Sequence, residues 1–160
     1  MKKIYVFGYG SLMNPHSLAQ TLPAKRHART ATLSGYKRKV NAPVGDYLYM
    51  NIVRSDESQI EGVLIEVSRE ELAELQKREV GYDRVDVTNH LSVSVDGRVF
   101  AFIAPDRHFH DKKILRSYLH TCMLGVPHDR REQWLKETEI YNPIHEDLDL
   151  PVYHSNASAI

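Results

Sequence analysis

The sequence predicts an α+β fold, a small mixed, mainly antiparallel β-barrel with flanking helices. Three observations carry that expectation. Segments rich in Val, Tyr, Ile and Thr, at residues 4–7, 28–53, 60–67 and 82–103, are spaced by short stretches of helical periodicity. An apolar and polar alternation over residues 82–95 runs into Asp96-Gly97, the sequence of a type I′ hairpin turn. The chain has 160 residues and 42% hydrophobic content, which suits one domain that buries roughly 70% of the surface its unfolded chain exposes.

Ile4, Tyr5, Val6 and Phe7 are apolar on both alternating faces, so the first strand is expected to be buried on both sides, and Gly8 ends it. Asn14-Pro15 supplies an N-cap and a first-turn proline for a short helix through Leu22, which Pro23 stops. Residues 28–53 read as strands broken by Gly35, Pro43 and Gly45, and residues 60–67 as a further strand. Ser68 and Glu71 form a capping box that opens a helix carrying Leu72, Ala73 and Leu75, and Gly81 stops it. Along 82–95, Val85, Val87, Leu91, Val93 and Val95 share one face. A two-residue loop then pairs Val95 with Arg98, Val93 with Phe100 and Leu91 with Phe102. Ile114, Leu115, Tyr118, Leu119, Cys122 and Met123 recur at helical spacing, after an Asp111 cap and before Gly125 and Pro127. A second helix from His128 carries Trp134 and Leu135. Pro143 and Pro151 predict that residues 142–160 form an extended tail across the surface of this single domain, 1–160.

Composition excludes several partners. With 21 Lys and Arg against 21 Asp and Glu, no bulk field attracts nucleic acid or an anionic membrane. Neutrality instead favours self-association, as in a homodimer. The lone Cys122 cannot close an intramolecular disulfide, which points to a reducing, cytoplasmic location; on its helical stripe a buried structural thiol is a better reading than a nucleophile. No run approaches the roughly 20 apolar residues of a membrane helix. The N-terminal apolar run is broken by Gly8, Gly10 and Ser11, unlike a signal peptide. His108 and His110 lack a third ligand at suitable spacing, so no metal is expected.

Two features carry chemistry. The loop Gly8-Tyr9-Gly10-Ser11-Leu12 joins a core strand to a helix N-terminus, a place that presents backbone N–H groups to an anion. Neither a dinucleotide fingerprint nor a P-loop fits it, and a tight turn without a ligand is the competing reading. Ser11 is no elbow nucleophile, because Tyr9 stands where G-x-S-x-G needs glycine. The second feature is Glu79, seven residues after Leu72 and four after Leu75, on the apolar stripe of its helix and at the C-terminal end, where the dipole disfavours an anion. A carboxyl so placed should have a raised pKa, as a proton shuttle needs. An ion pair with Arg84 or Arg78, or fraying into water, is the structural alternative.

Tyr9-Gly10-Ser11-Leu12 after a strand, and Glu79-Val80-Gly81-Tyr82-Asp83-Arg84 after a helix, resemble the signature of the gamma-glutamylcyclotransferase-like family, its bacterial members in particular. Gly35-Tyr36-Lys37-Arg38, Ile60-Glu61-Gly62-Val63-Leu64, Tyr118-Leu119 and Trp134 extend the likeness over most of the chain. Gln76 stands where many members carry aspartate, and the spacing from Glu79 to Tyr82 is short. The resemblance implies a cofactor-independent enzyme for a small γ-glutamyl substrate, whose α-amine attacks its own γ-carbonyl to give 5-oxoproline and a free amine. It implies Glu79 as general base and acid, Tyr9, Gly10, Ser11 and Leu12 as the substrate-binding loop, and Tyr82 and Arg84 as residues that position Glu79. A related enzyme acting on another amide, or a binding module that keeps the pocket without turnover, are the alternatives.

Overall fold

Strand β1 (Lys3–Gly8) lies inside a six-stranded sheet in a computed structural model that describes residues 2–23, 26 and 28–147. After it come helix α1 (Pro15–Ala19), the long pair β2 (Ala28–Val44) and β3 (Tyr47–Val67), and helix α2 (Arg69–Arg78). Then follow β4 (Asp83–Asp86), β5 (Gly97–Ile103), the short β6 (Ile114–Leu115), α3 (Arg116–Leu124), α4 (Arg131–Lys136), β7 (Thr138–Glu139) and β8 (Ile144–His145). The strand order is β4-β5-β1-β3-β2-β7, antiparallel except for β1 with β5 and β2 with β7. The sheet is not closed, because β4 and β7 are its two edges, so the expected barrel is an open sheet; Leu91, outside its strands, bridges to Leu33 of β2.

Local signals held where the local chemistry is complete. Asn14 caps α1, its side chain accepting from the His16 N–H at 2.9 Å, with Pro15 in the first turn. Ser68 and Glu71 form the reciprocal capping box of α2. Residues 28–53 hold two strands, broken at Gly45 as expected but not at Gly35 or Pro43. β2 bends without ending at a bulge where Gly35 has φ +83°, and pairs with β3 through the Gly45-Asp46 turn, register Val44 to Tyr47. Cys122 is fully buried, and burial pushes its thiol up to about 12, so it is a core thiol.

Three expectations are corrected. The strand over 82–95 stops at Asp86, whose carboxylate accepts from the Thr88 N–H at 2.9 Å and its hydroxyl at 2.6 Å, turning the chain into a 3-10 turn at Thr88–His90. No Asp96-Gly97 hairpin forms. Gly97 begins β5 alongside Lys3, so close that a Cβ there would lie 1.9 Å from the Lys3 carbonyl oxygen. Phe100 and Phe102 therefore face Asp86 and Arg84 across β4, and Val93 is 53% exposed. Asp111 does not cap α3. That service comes from Asp147, which accepts from the Ser117 N–H at 2.8 Å and its hydroxyl at 2.5 Å. Of the expected extended tail, residues 142–147 include β8, which runs parallel to β6; residues 148–160 lie outside the described residues.

Alternation along β1 sends Tyr5 and Phe7 to one cluster, with Leu33, Ile52, Tyr118 and Cys122, and Val6 to another, with Leu18, Ile65, Leu72, Leu75 and Phe102. A sheet buried on both faces fixes the end of β1 rigidly, and α2 closes over the second face. Its last turn reaches the residues that follow β1.

Candidate active site

The turn after β1 is a single 3-10 turn, Ser11–Met13, not the start of a longer helix. The Met13 N–H donates to the Gly10 carbonyl at 3.0 Å and the Asn14 N–H to the Ser11 carbonyl at 3.0 Å. The amide N–H groups of Ser11 and Leu12, first in that turn, have no acceptor among the described residues, as the opening donors of any helical turn have none within it. Helix α1 does not supply the anion-binding end expected from sequence, since Asn14 already caps it. Gly10 packs onto β3: a Cβ there would come 2.9 Å from the Met50 Cβ, so only glycine lets the loop lie flat on the strand.

Glu79 is the C-cap of α2. Its N–H donates to the Leu75 carbonyl at 3.0 Å, and its own carbonyl accepts from the Tyr82 N–H at 3.2 Å. Gly81, at φ +87°, completes this tight turn and brings the Tyr82 ring back beside the carboxyl. Phe7, Tyr9, Gly10, Ser11, Leu12, Met50, Glu79, Tyr82, Phe102 and Tyr118 line one cleft, so the loop and the carboxylate singled out from sequence share a wall of the same cavity. Its enclosed part measures about 30 Å³, room for a small polar head-group or a water or two.

Inside this cleft the Glu79 side chain is 13% exposed and accepts no hydrogen bond from the described residues. Burial pushes its pKa up to about 7, and the Arg78 guanidinium, with Nε 3.7 Å from Glu79 Oε1, pulls the other way. Desolvation wins because a carboxylate without donors loses its water shell, while a contact of 3.7 Å is too long for a strong ion pair. Tyr9 donates to the Phe102 carbonyl at 2.5 Å, and its phenol is held well above the ordinary value by burial and by the Glu79 charge. Tyr82 donates to the Met50 carbonyl at 2.6 Å, and the Tyr118 hydroxyl accepts from the Met50 N–H at 2.9 Å. The two phenols thereby pin the β3 backbone behind Gly10.

Arg84 lies elsewhere. It is exposed, donates to Gln76 Oε1 at 3.4 Å and stacks over Phe100 with 5.1 Å to the ring centroid. The residue beside Glu79 is Arg78, which the sequence offers only as an ion-pair partner. Arg78 is buried at 6% exposure; it donates to the Ser17 carbonyl at 2.8 Å, to Ser17 Oγ at 2.7 Å and to Ser11 Oγ at 3.1 Å. One guanidinium thus ties α2 to α1 and to the site loop. The signal was present: Arg78 falls three residues after Leu75, on the buried stripe. Since Ser11 Oγ accepts from Arg78, its own proton remains available to donate.

Among the described residues no group of three or more His, Cys, Asp or Glu is placed to hold a metal ion, and the His108 and His110 rings meet edge to face at 4.4 Å in the loop after β5. No helix among them is long and apolar enough to cross a membrane.

The model of one family, gamma-glutamyl cyclotransferase, AIG2-like, matches residues 6–119, a stretch that contains both the loop and Glu79. Solved structures share the fold. A gamma-glutamyl cyclotransferase is 13% identical, with TM-score 0.70 over 92% of this chain and 95% of that one. The uncharacterised human protein loc79017 is 15% identical, with TM-score 0.66 over 93% and 97%. YkqA from Bacillus subtilis is 20% identical, with TM-score 0.64 over 85% of this chain and 54% of its own. No curated protein matches significantly.

Proposed function

The chain belongs to the gamma-glutamyl cyclotransferase, AIG2-like family, which supports an activity of cyclotransferase type, and we propose that it converts a γ-glutamyl amine or γ-glutamyl amino acid into 5-oxoproline and the free amine. The observation that carries this reading is Glu79: a nearly buried carboxyl with a pKa of about 7 and no hydrogen-bond donor among the described residues, in one cleft with the amides of Ser11 and Leu12, which have no acceptor among them.

The reaction is intramolecular, so the protein's task is to fold the substrate, move protons and hold developing charge. A substrate α-amine with pKa near 8 is mostly ammonium at neutral pH. Ionised Glu79 takes one proton from it, and the neutral amine attacks the γ-carbonyl carbon. The carbonyl oxygen becomes an oxyanion, for which the Ser11 and Leu12 N–H groups are donors; one such donor is worth about 10² to 10³ in rate. Protonated Glu79 then gives its proton to the departing nitrogen and takes the second proton of the attacking nitrogen as the oxyanion collapses and the C–N bond breaks. The five-membered lactam leaves neutral, and the released amine takes that proton from Glu79 to leave as an ammonium, with Glu79 ionised again. A pKa near 7 suits both transfers, because neither protonation state is costly at neutral pH. Arg78 holds Ser11 and sets how far the carboxyl rises. No cofactor enters this scheme, and the lone buried thiol fits a cytoplasmic setting.

The purified protein is to be incubated with γ-glutamyl amino acids, γ-glutamyl amines and glutathione, and free 5-oxoproline measured. Release from at least one of them is expected. Release from none, with tight binding retained, would favour a binding module instead.

A further inference from the structure

A second cavity, apart from the Glu79 cleft, lies where β2 and β3 meet α4. It encloses about 130 Å³, room for a small molecule. Two cations and two anions line it, Arg38, Arg130, Glu61 and Glu137, together with Val126 and Trp134, the sole tryptophan of the chain.

Arg38 is 0% exposed. Its Nε donates to Thr138 Oγ1 at 3.1 Å and its Nη1 to the Glu61 carbonyl at 2.9 Å. Glu137 Oε2 stays 3.6 Å from Nη2, beyond hydrogen-bond reach, and the Trp134 ring lies 4.9 Å from the guanidinium carbon. A guanidinium carries five N–H donors, so among the described residues more than half of them are unused. Burial pulls the Arg38 pKa down to about 10, which marks a cation kept from water without full compensation. Trp134 Nε1 is also buried without an acceptor among the described residues. Native interiors rarely leave buried donors unsatisfied. A donor surplus around a cavity calls for an acceptor, yet Glu61 and Glu137 repel a plain anion. Glu61 is already engaged by Arg130 at 2.9 Å, and Glu137 Oε1 accepts from Gln133 Nε2 at 2.8 Å, which leaves Glu137 Oε2, 3.6 Å from Arg38 Nη2, as the carboxylate oxygen for a ligand cation.

We propose that this cavity binds a small zwitterionic α-amino acid, its carboxylate against Arg38, its ammonium against Glu137 and its side chain along Val126 and the Trp134 ring. The charge balance selects the zwitterion over an anion or a cation. This inference is independent of the reaction assigned to the Glu79 cleft.

Because Trp134 is the sole tryptophan, its fluorescence reports the cavity directly. L-alanine and L-valine are to be titrated into the full-length protein up to about 50 mM, with propionate and ethylammonium as probes that each carry one of the two charges. A saturable change with the amino acids is expected, at least about tenfold weaker with either single-charge probe and in Glu137→Gln. Glu137 is 40% exposed, so that variant should fold, which circular dichroism checks. Glu79→Gln should respond as the wild type does. The proposal is overturned by no saturable response in the wild type, by propionate binding as tightly as alanine, by an unchanged response in folded Glu137→Gln, or by loss of the response in Glu79→Gln, which would place the amino acid in the cleft.

Discussion

Glu79→Gln should make the protein more stable, and only above a definite pH. In the folded chain the carboxyl has a pKa of about 7 against an ordinary 4.5. The folded state therefore holds a proton that the unfolded state has released between these values, and stability falls as pH rises through that window. The contribution is fully present below about 4.5 and fully lost above about 7. At 1.36 kcal/mol per unit, the ionised side chain costs the fold about 3 kcal/mol at pH 8. With the side chain only 13% exposed, little solvent screening reduces that figure. Glutamine has the same shape and never ionises. Urea unfolding at pH 5 and pH 8 should leave the two proteins within about 1 kcal/mol of each other at the lower pH. At the higher pH the variant should lead by up to about 3 kcal/mol, roughly 6 to 12 °C in Tm for a chain of this size. Asp86, whose pKa is lowered to about 2 by hydrogen bonds from Thr88 and by Arg98, titrates outside the window and cancels in the comparison. An identical stability difference at both pH values would refute the idea that desolvation of Glu79 sets its chemistry.

Three further outcomes follow from the same geometry. The profile of kcat/KM for 5-oxoproline release should be bell-shaped, rising with an acid limb near pH 7 as Glu79 ionises and falling above about pH 8 as the free substrate's α-ammonium is lost; an acid limb near 4.5 would contradict it. Arg78→Met removes the positive charge beside Glu79, so its acid limb should move to higher pH, whereas Arg78→Lys should leave the limb near its place while losing activity through the freed loop; equal profiles for all three proteins would remove Arg78 from the account. Asp147→Ala leaves the Ser117 N–H and hydroxyl without their acceptor and should cost about 1 to 3 kcal/mol in urea unfolding, with the acid limb unmoved.

The parts legible in sequence are those whose physics is local. Asn14-Pro15, the Ser68 and Glu71 capping box and the helical stripe through Tyr118 and Cys122 each complete their interactions within a turn or two. Glu79 was legible for the same reason, as a carboxyl on a stripe set by Leu72 and Leu75. What misled was long-range pairing. Asp96-Gly97 has the composition of a hairpin turn, but Gly97 is needed against Lys3, more than ninety residues earlier, where no side chain fits. Alternation over 82–95 was overruled by one carboxylate, Asp86, that binds its own neighbour Thr88. Asp147 caps a helix thirty residues before it, and no spacing rule announces that. Arg84 drew attention through resemblance, yet Arg78 occupies the place beside Glu79, because the helix is still wound at 78 and has turned away by 84.

The most direct measurement is the rate of 5-oxoproline formation by Glu79→Gln beside the wild type, at saturating concentration of the best γ-glutamyl substrate, with circular dichroism confirming that both are folded. Loss of the proton shuttle should lower kcat by about 10² to 10⁴ with the loop contacts and substrate affinity kept. A folded variant that turns over within a few-fold of the wild type would contradict the central claim that the buried carboxyl carries the protons.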